Sequence, residues 1–448
     1  MRLGEALEVV SQYVVPSEFE VFRGAIDPTW IEEALVATGT ASIRRRRLPA
    51  AMVVWLVIGM ALMRNESMER LVTLLGLALP GRDGKKAARS AITQARQRLG
   101  EEPLEYLYAT TADRWAGDSA AAHTWRGLKV YGADGTTLRV PDSPENWEAF
   151  GGQCGNGSRN GSAYPMVRLV ALMVLRSHLL SAVRFADYAT GETTLARDLY
   201  REMPDDSLLI GDRAFLIAQE LTALERSGDN RNWLTRAKKT TRLRVIRQLG
   251  RGDALVELQL SDATRKKYPE LPALWLVRAI TYQRKGFRPS TLLTSLLLPG
   301  EYPASEIIEL YHERWELELG YDEVKTHLLD RVEAIRSRTP QGVRQELWGI
   351  ALAYNLIRFQ MERAADGAGV APTRISFVNA LSVIRATWIT WATEPMAPAR
   401  IPDALTVLQR HLALLLLPER RSERAYPRAV KIKMSAYNRK PPTGNGRK

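Results

Sequence analysis

The apolar residues of this chain change their period near residue 128, and that change limits the fold more than any other feature. Before it, apolar positions recur at helical spacing from Leu48 to Met63, Met68 to Leu77 and Ile92 to Leu99, and a further helix opens at Pro103. Pro80-Gly81 and Asp83-Gly84 part the second run from the third, and Ser90 is placed to cap the third. After it come short runs rich in Val, Leu and Ile: Leu128–Asp134, Val167–Leu175, Leu179–Phe185, Ser207–Gly211 and Asn232–Thr235. Thr193–Met203 and Phe215–Arg226 carry helical spacing between them. Consecutive strands followed by strand–helix alternation predict an α/β fold, a mixed sheet with helices packed on it.

From Lys238 to about Ser290 basic residues alternate with apolar ones, as in Arg242, Arg244, Val245 and Arg247. This predicts an antiparallel β insertion with a basic face, which is either a solvated sheet surface or a nucleic-acid contact. Thr291–Leu297 reads as a buried strand, and a long helix is expected from about Pro303 to Leu329. Further helices are expected over Gln341–Ala365, Ala380–Trp391 and Ile401–Leu417. The chain therefore divides into helical residues 1–122, a sheet-bearing region 123–365 with its insertion at about 238–290, and C-terminal helices over 366–427. Residues 428–448 hold seven Lys or Arg and no acid, and read as a disordered tail. Gly151–Gly161, with Cys154 and Arg159, reads as a glycine-rich loop.

A net charge of +13 calls for a polyanionic partner, most simply nucleic acid. No long basic amphipathic helix points to a membrane surface instead. The run Leu48–Met63 is shorter than the ~20 residues a span needs and reads as a core helix. The N-terminus lacks a signal-peptide pattern, and the lone Cys154 excludes an internal disulfide or a Cys-based metal site. Both fit a cytoplasmic protein, and nothing calls for a nucleotide cofactor. The five histidines show no metal-ligand spacing.

Residues 309–329, ELYHERWELELGYDEVKTHLL, carry Tyr311, Arg314, Glu318 and Lys325. On a uniform helix these four fall within an arc of roughly 60°, beside an apolar stripe of Leu310, Leu317, Tyr321, Val324 and Leu328. The plain alternative is an exposed helix with ion pairs one turn apart. Asp134 is expected to close the strand LKVYGAD, and Asp212 the strand SLLIGD. Carboxylates at neighbouring strand ends can converge, where α/β folds tend to place ligands. With Glu318 they would make three oxygen donors able to hold two Mg²⁺ while phosphate oxygens complete the shell.

The pattern Tyr311-x2-Arg314-x3-Glu318-x6-Lys325 resembles the Y-R-E-K signature of the insertion-element-4 family of bacterial transposases. The stretches 38–62, QARQRLG (94–100), GADGTTLRVPDSPEN (132–146), LLTSLL (292–297), QELWGIALAYNLIR (345–358) and ERAYPR (423–428) are also similar to members of that family. The resemblance implies an RNase H-like catalytic core with a β-rich insertion, an all-helical DNA-binding region before it and C-terminal helices after it. It implies Asp134, Asp212 and Glu318 as the catalytic and metal-holding acids, with Mg²⁺ as cofactor and Mn²⁺ as substitute. It implies phosphate contacts from Tyr311, Arg314 and Lys325, and a place for Trp315 beside a flipped base, against which a core tryptophan is the alternative. The partners implied are double-stranded DNA, as terminal inverted repeats and target, and a second copy of the chain in the DNA-bound synaptic complex. The route implied is cut-and-paste, with a hairpin on the transposon end.

Further DNA contacts are expected from Arg213, Arg236, Lys238 and Lys239, and repeat recognition from Arg44–Arg47, Arg89, Arg96 and Arg98. Trp233 and Trp275 read as core residues ahead of base-stacking ones. One departure stands out: the family's Gly after Asp and a basic residue is Ala214 here. A required positive φ would strain an alanine at that position. A nuclease without strand transfer, and a non-catalytic DNA-binding descendant, are the competing functions.

Overall fold

The computed structural model describes residues 26–41, 48–77, 88–153, 164–272, 274–284, 287–330, 335–393 and 401–418. Arg44–Arg47, the loop residues Cys154 and Arg159, and the basic tail lie outside the described residues.

Helices α1 (Pro28–Ala37), α2 (Ala50–Leu62), α3 (Met68–Leu74), α4 (Arg89–Leu99) and α5 (Glu102–Ala122) come first. Helix α1 starts at Pro28 because Asp27 caps it, accepting from the Thr29 amide at 2.9 Å. Helix α2 is buried nearly all round, as a core helix is. No helix among the described residues is long and apolar enough to cross a membrane. Ser90 falls inside the first turn of α4, whose N-cap is Ala88 without a side-chain bond.

The strands β1 (Lys129–Arg139), β2 (Met166–Val174), β3 (Leu180–Asp187), β4 (Ser207–Ile210) and β5 (Arg231–Arg236) follow, with helices α6 (Pro144–Phe150), α7 (Glu192–Arg201) and α8 (Ala218–Arg226) between them. Next come β6 (Leu243–Gly250), β7 (Asp253–Leu258), the short helix α9 (Asp262–Lys267), β8 (Trp275–Tyr282) and β9 (Ser290–Thr294). The nine strands among the described residues join one sheet, in the order β3-β2-β1-β4-β5-β9-β8-β7-β6. The β1–β4 and β4–β5 pairs are parallel and the others antiparallel. The strands expected as an insertion thus continue the main sheet through β9. Trp233 and Trp275 are buried and pack on each other at 5.4 Å, and the Trp233 indole donates to Glu225 at 2.6 Å. They serve the core.

The helix expected over 303–329 is three pieces: α10 (Ala304–His312), α11 (Trp315–Asp322) and a π-helical turn, Glu323–Leu328. Between α10 and α11 the backbone tightens, with Arg314 N–H donating to the Tyr311 carbonyl and Leu317 N–H to that of Arg314. The π turn coincides with a buried tie. Glu323 accepts from Arg358 Nε at 3.0 Å and from the Tyr354 hydroxyl at 2.8 Å. His178, in the β2–β3 turn at φ 64°, lies 2.9 Å from Glu316 and 3.4 Å from Glu323. Arg358 and Tyr354 belong to α12 (Pro340–Ala368), which packs on α2, α5 and the C-terminal helices α13 (Phe377–Thr393) and α14 (Ile401–Ala413).

Candidate active site

Strand β1 continues to Arg139, so Asp134 lies within the strand and not at its end. What ends near Asp134 is the pairing with β4. The parallel register runs from Lys129↔Ser207 to Gly132↔Ile210 and stops. Asp134, still within β1, and Asp212, just past the end of β4, each come two residues after that last pair. Past Gly132, β1 keeps only β2 as a partner, which leaves the Asp134 edge open on the β4 side.

Helix α11 is set against that edge. The Tyr321 hydroxyl donates to the Asp134 carbonyl and accepts from the Ala171 amide at 3.3 Å. Asp134 and Ala171 are register partners, so the phenol sits between facing residues of β1 and β2. A Cβ built on Gly132 would stand 2.8 Å from Leu317 Cδ1, so only glycine lets α11 approach this closely. Glu318, one turn before Tyr321, therefore faces the same cleft, of about 530 Å³, as Asp134, Thr136 and Lys325.

Asp134 accepts from the Gly135 amide at 2.8 Å. Among the described residues no Lys or Arg lies within ion-pairing distance of it. Burial pushes its carboxyl up to about 6; the Gly135 amide opposes this, Glu192 and Asp212 add to it, and Arg314 opposes it. Asp212 caps a 3₁₀ turn, Arg213–Phe215, accepting from the Ala214 amide at 2.6 Å. Its carbonyl accepts from Thr235 Oγ1 at 2.7 Å. Glu318 is paired with Arg314 at 2.9 Å, the one-turn ion pair that the helix pattern allowed. Burial disfavours the Arg314 charge, but Glu318, Tyr311 and Asp212 outweigh it and raise its pKa. Arg314 thus stands in the field of all three acids. Among the described residues, however, no three His, Cys, Asp or Glu side chains are close enough to share one metal ion.

The other expected residues divide. Lys325 reaches Thr136 Oγ1 at 3.2 Å on the cleft wall. Tyr311 is buried, near Arg314 and Arg236. Trp315 is 49% exposed, which removes the core alternative. Arg213, Arg236 and Lys239 are exposed. Lys238 is committed to the fold, its ammonium donating to the Leu216 carbonyl at 3.1 Å just after the Asp212 turn. Arg96 is likewise committed, bonding Gln345 at 2.8 Å and Ser337 at 3.1 Å, so it is a tie between α4 and α12 and not a reader of bases. Ala214 is absent from the positive-φ residues, so the alanine carries no left-handed strain. One residue at this site escaped the sequence reading: Tyr321 passed as part of the apolar stripe, and its hydroxyl bonds Asp134 and Ala171.

Residues 16–109 match the family described as insertion element 4 transposase N-terminal, and residues 125–356 match the transposase DDE domain. The chain is 38% identical over 439 residues to transposase InsG for insertion sequence element IS4 of Escherichia coli K12, covering 98% of both. It is 37% identical over 232 residues to the putative transposase InsZ of the same organism, covering 52% of this chain and 76% of that one. Among solved structures, a piggyBac transposase synaptic complex with hairpin DNA aligns at TM-score 0.41 and 10% identity, over 89% of this chain and 86% of that chain. The chain belongs to the insertion-element-4 transposases with a DDE domain, and is an insertion-sequence transposase, a DNA-cleaving and strand-transferring enzyme.

Proposed function

We propose that Asp134, Asp212 and Glu318 are the catalytic acids of this transposase, and that it cuts and joins DNA by a divalent-metal-dependent, cut-and-paste route. The observation that carries the reading is Asp134: a partly buried carboxylate, crowded by Asp212 and Glu192, with no cation partner among the described residues. Such a group is costly unless a cation arrives. The donors facing the cleft are carboxylate and hydroxyl oxygens, the hard set that Mg²⁺ and Mn²⁺ prefer. Asp134, Asp212 and Glu318 would hold the ions, with phosphate oxygens completing their shells. Divalent ions bound there would supply Lewis acidity at the scissile phosphate.

The chain's own residues do the rest. Tyr321 fixes α11 on β1, and so fixes Glu318 relative to Asp134. Arg314 and Lys325 neutralise phosphate and hold register without reading bases. Hydrolysis frees a 3′-hydroxyl, which then attacks the opposite strand or target DNA in line, so no covalent protein–DNA intermediate is needed. Trp315 is assigned to stacking on a displaced base, a role its exposure supports. Arg213, Arg236 and Lys239 are assigned to the DNA backbone, and Lys238 and Tyr311 to shaping the surface they share. The finer fold reading is an RNase H-like core over 123–365, with helical residues 1–122 gripping terminal repeats and a second copy joining on DNA. It acts where the bacterial DNA is, in the cytoplasm.

The test is cleavage of a labelled duplex carrying the element's terminal repeat, with Mg²⁺, by the parent protein and by Asp134→Ala, Asp212→Ala and Glu318→Ala. Metal-dependent nicking at the repeat boundary followed by joining, lost in all three variants, is the expected result. Nicking without joining would favour a nuclease. Parental activity in any one variant would remove that residue from the set.

A further inference from the structure

We infer that a second cleft, between α4 and the start of α12, is a phosphate site that grips the DNA backbone at a distance from Asp134; this rests on the reading above, in which DNA is cut at the Asp134 cleft.

This cleft holds about 510 Å³. Four arginines line it, Arg89 and Arg96 from α4 and Arg336 and Arg338 from the segment that enters α12, and among the described residues no Asp or Glu does. Helix α12 opens onto it. Thr339 caps that helix, accepting from the Gly342 amide at 3.3 Å, and both residues stand on the cleft wall. The positive end of a 29-residue helix therefore adds to four guanidiniums. The segment is also fastened to the catalytic strand. The Ile335 amide donates to the Arg139 carbonyl at 3.0 Å, and Asp134 stands five residues before Arg139 on β1. At about 3.4 Å per residue that is about 17 Å, the rise of about five base pairs of duplex.

The four arginines are of two kinds. Arg96 and Arg336 are half-buried and held by the fold. Arg96 is fixed by Gln345 and Ser337, yet its Nη1 meets only the Met68 sulfur, a weak acceptor, at 3.6 Å. Arg336 donates to the Glu66 carbonyl at 2.7 Å and to the Met63 carbonyl, at the end of α2, at 3.3 Å. Burial lowers the pKa of both; Arg64, and less strongly Arg96, lower that of Arg336 further, and Glu346 opposes this at each. An anion in the cleft offsets that crowding of positive charge. Arg89 and Arg338 are exposed. Arg89 comes no nearer than 3.6 Å to Glu69, and the Arg338 guanidinium has no hydrogen bond or ion pair with a described residue. Two fixed guanidiniums beside two exposed ones suit a strand that carries one phosphate after another, contacted for charge and not for sequence. Because α4 and α12 come from opposite ends of the chain, a strand held here also ties those ends together.

The experiment titrates the full-length protein into two labelled duplexes, one with the terminal repeat and one of unrelated sequence, over a range of salt. It is read by fluorescence anisotropy, with thermal unfolding as the folding check. The double variant Arg89→Gln/Arg338→Gln is expected to bind both duplexes roughly tenfold more weakly, with a slope of log affinity on log salt shallower by about one to two. Arg338→Lys, which keeps the charge, is expected to hold the parental slope. A neutral methylphosphonate about five base pairs from the cut should weaken binding by the parent and leave the double variant unchanged. Should the double variant fail to fold, Arg338→Gln alone is expected to lower the slope by about one. Parental affinity and slope in the folded double variant would overturn the site, and Asp134-dependent cleavage by that variant would leave the catalytic reading intact. Inorganic phosphate that protects only the parent against heat, with DNA binding the same in both, would assign the cleft to a free anion and overturn the proposal. A parent protein that binds neither duplex would overturn both readings.

Discussion

Two carboxylates on facing elements meet opposite treatment in this molecule. Burial alone would raise Glu323, but Arg358, then His178, overcome it and hold the carboxyl down to about 2. Burial also raises Asp134, and there nothing overcomes it; Glu192 and Asp212 push further, up to about 6. Glu323 is surrounded by donors that the fold provides. Asp134 has the Gly135 amide and the more distant charge of Arg314 in its favour, with Glu192 and Asp212 against it. A charge that serves structure is delivered with its partners, whereas a charge that serves chemistry is left waiting for one from outside. The two lie close along one thread, since Glu323 fixes the π turn after α11 and α11 carries Glu318.

The contrast can be broken by exchanging charge for amide. Glu323→Gln leaves Arg358 buried without its counter-charge and is expected to cost about 3 to 5 kcal/mol in denaturant unfolding. The same change has a pH signature. Because the folded-state pKa of Glu323 is depressed, its contribution is full above the unfolded value of 4.5 and is lost as pH falls toward about 2. The stability gap between parent and Glu323→Gln should therefore narrow below pH 4.5; a gap that stayed constant would mean the carboxylate charge is not what matters.

Asp134→Asn is the mirror test. Cleavage of terminal-repeat DNA should fall by on the order of a hundred- to a thousandfold. Thermal stability should hold or rise, because an uncompensated charge has been removed. A variant that unfolds as readily as Glu323→Gln would erase the distinction. The smallest expected effect is that of Trp315→Ala. Its exposed ring contributes little to the core, so stability should stay within about 0.5 kcal/mol. Affinity for a duplex end with unpaired bases should fall by about 1 to 3 kcal/mol, measured by titration with labelled DNA. Unchanged affinity would remove Trp315 from the interface.

The sequence suggested an outline of this site because two of its acids come after short apolar runs and its signature residues would share one arc of a uniform helix. Those patterns depend on period, and period is local. It placed Asp134 at a strand end because Gly135 looks like a stop, yet β1 runs on along β2. It treated residues 303–329 as one uniform helix, but Glu323 is drawn to Arg358, distant in sequence, and the helix widens there. Tyr321 was legible as apolar, while its hydroxyl finds partners on two strands that no spacing reveals. Arg96 shows the converse: a surface-like arginine by pattern is spent inside the fold.

The continuous sheet also acts as a ruler. Strand β6, with Arg247 and Arg242 at its edge of the molecule, lies five strands from β4, the strand that delivers Asp212. At about 4.8 Å per strand that is a span of about 24 Å, the length of about seven base pairs of duplex at 3.4 Å each. Because every step of that span is hydrogen-bonded, a duplex gripped at the outer strand would be metered, rung by rung, to a fixed distance from the cut.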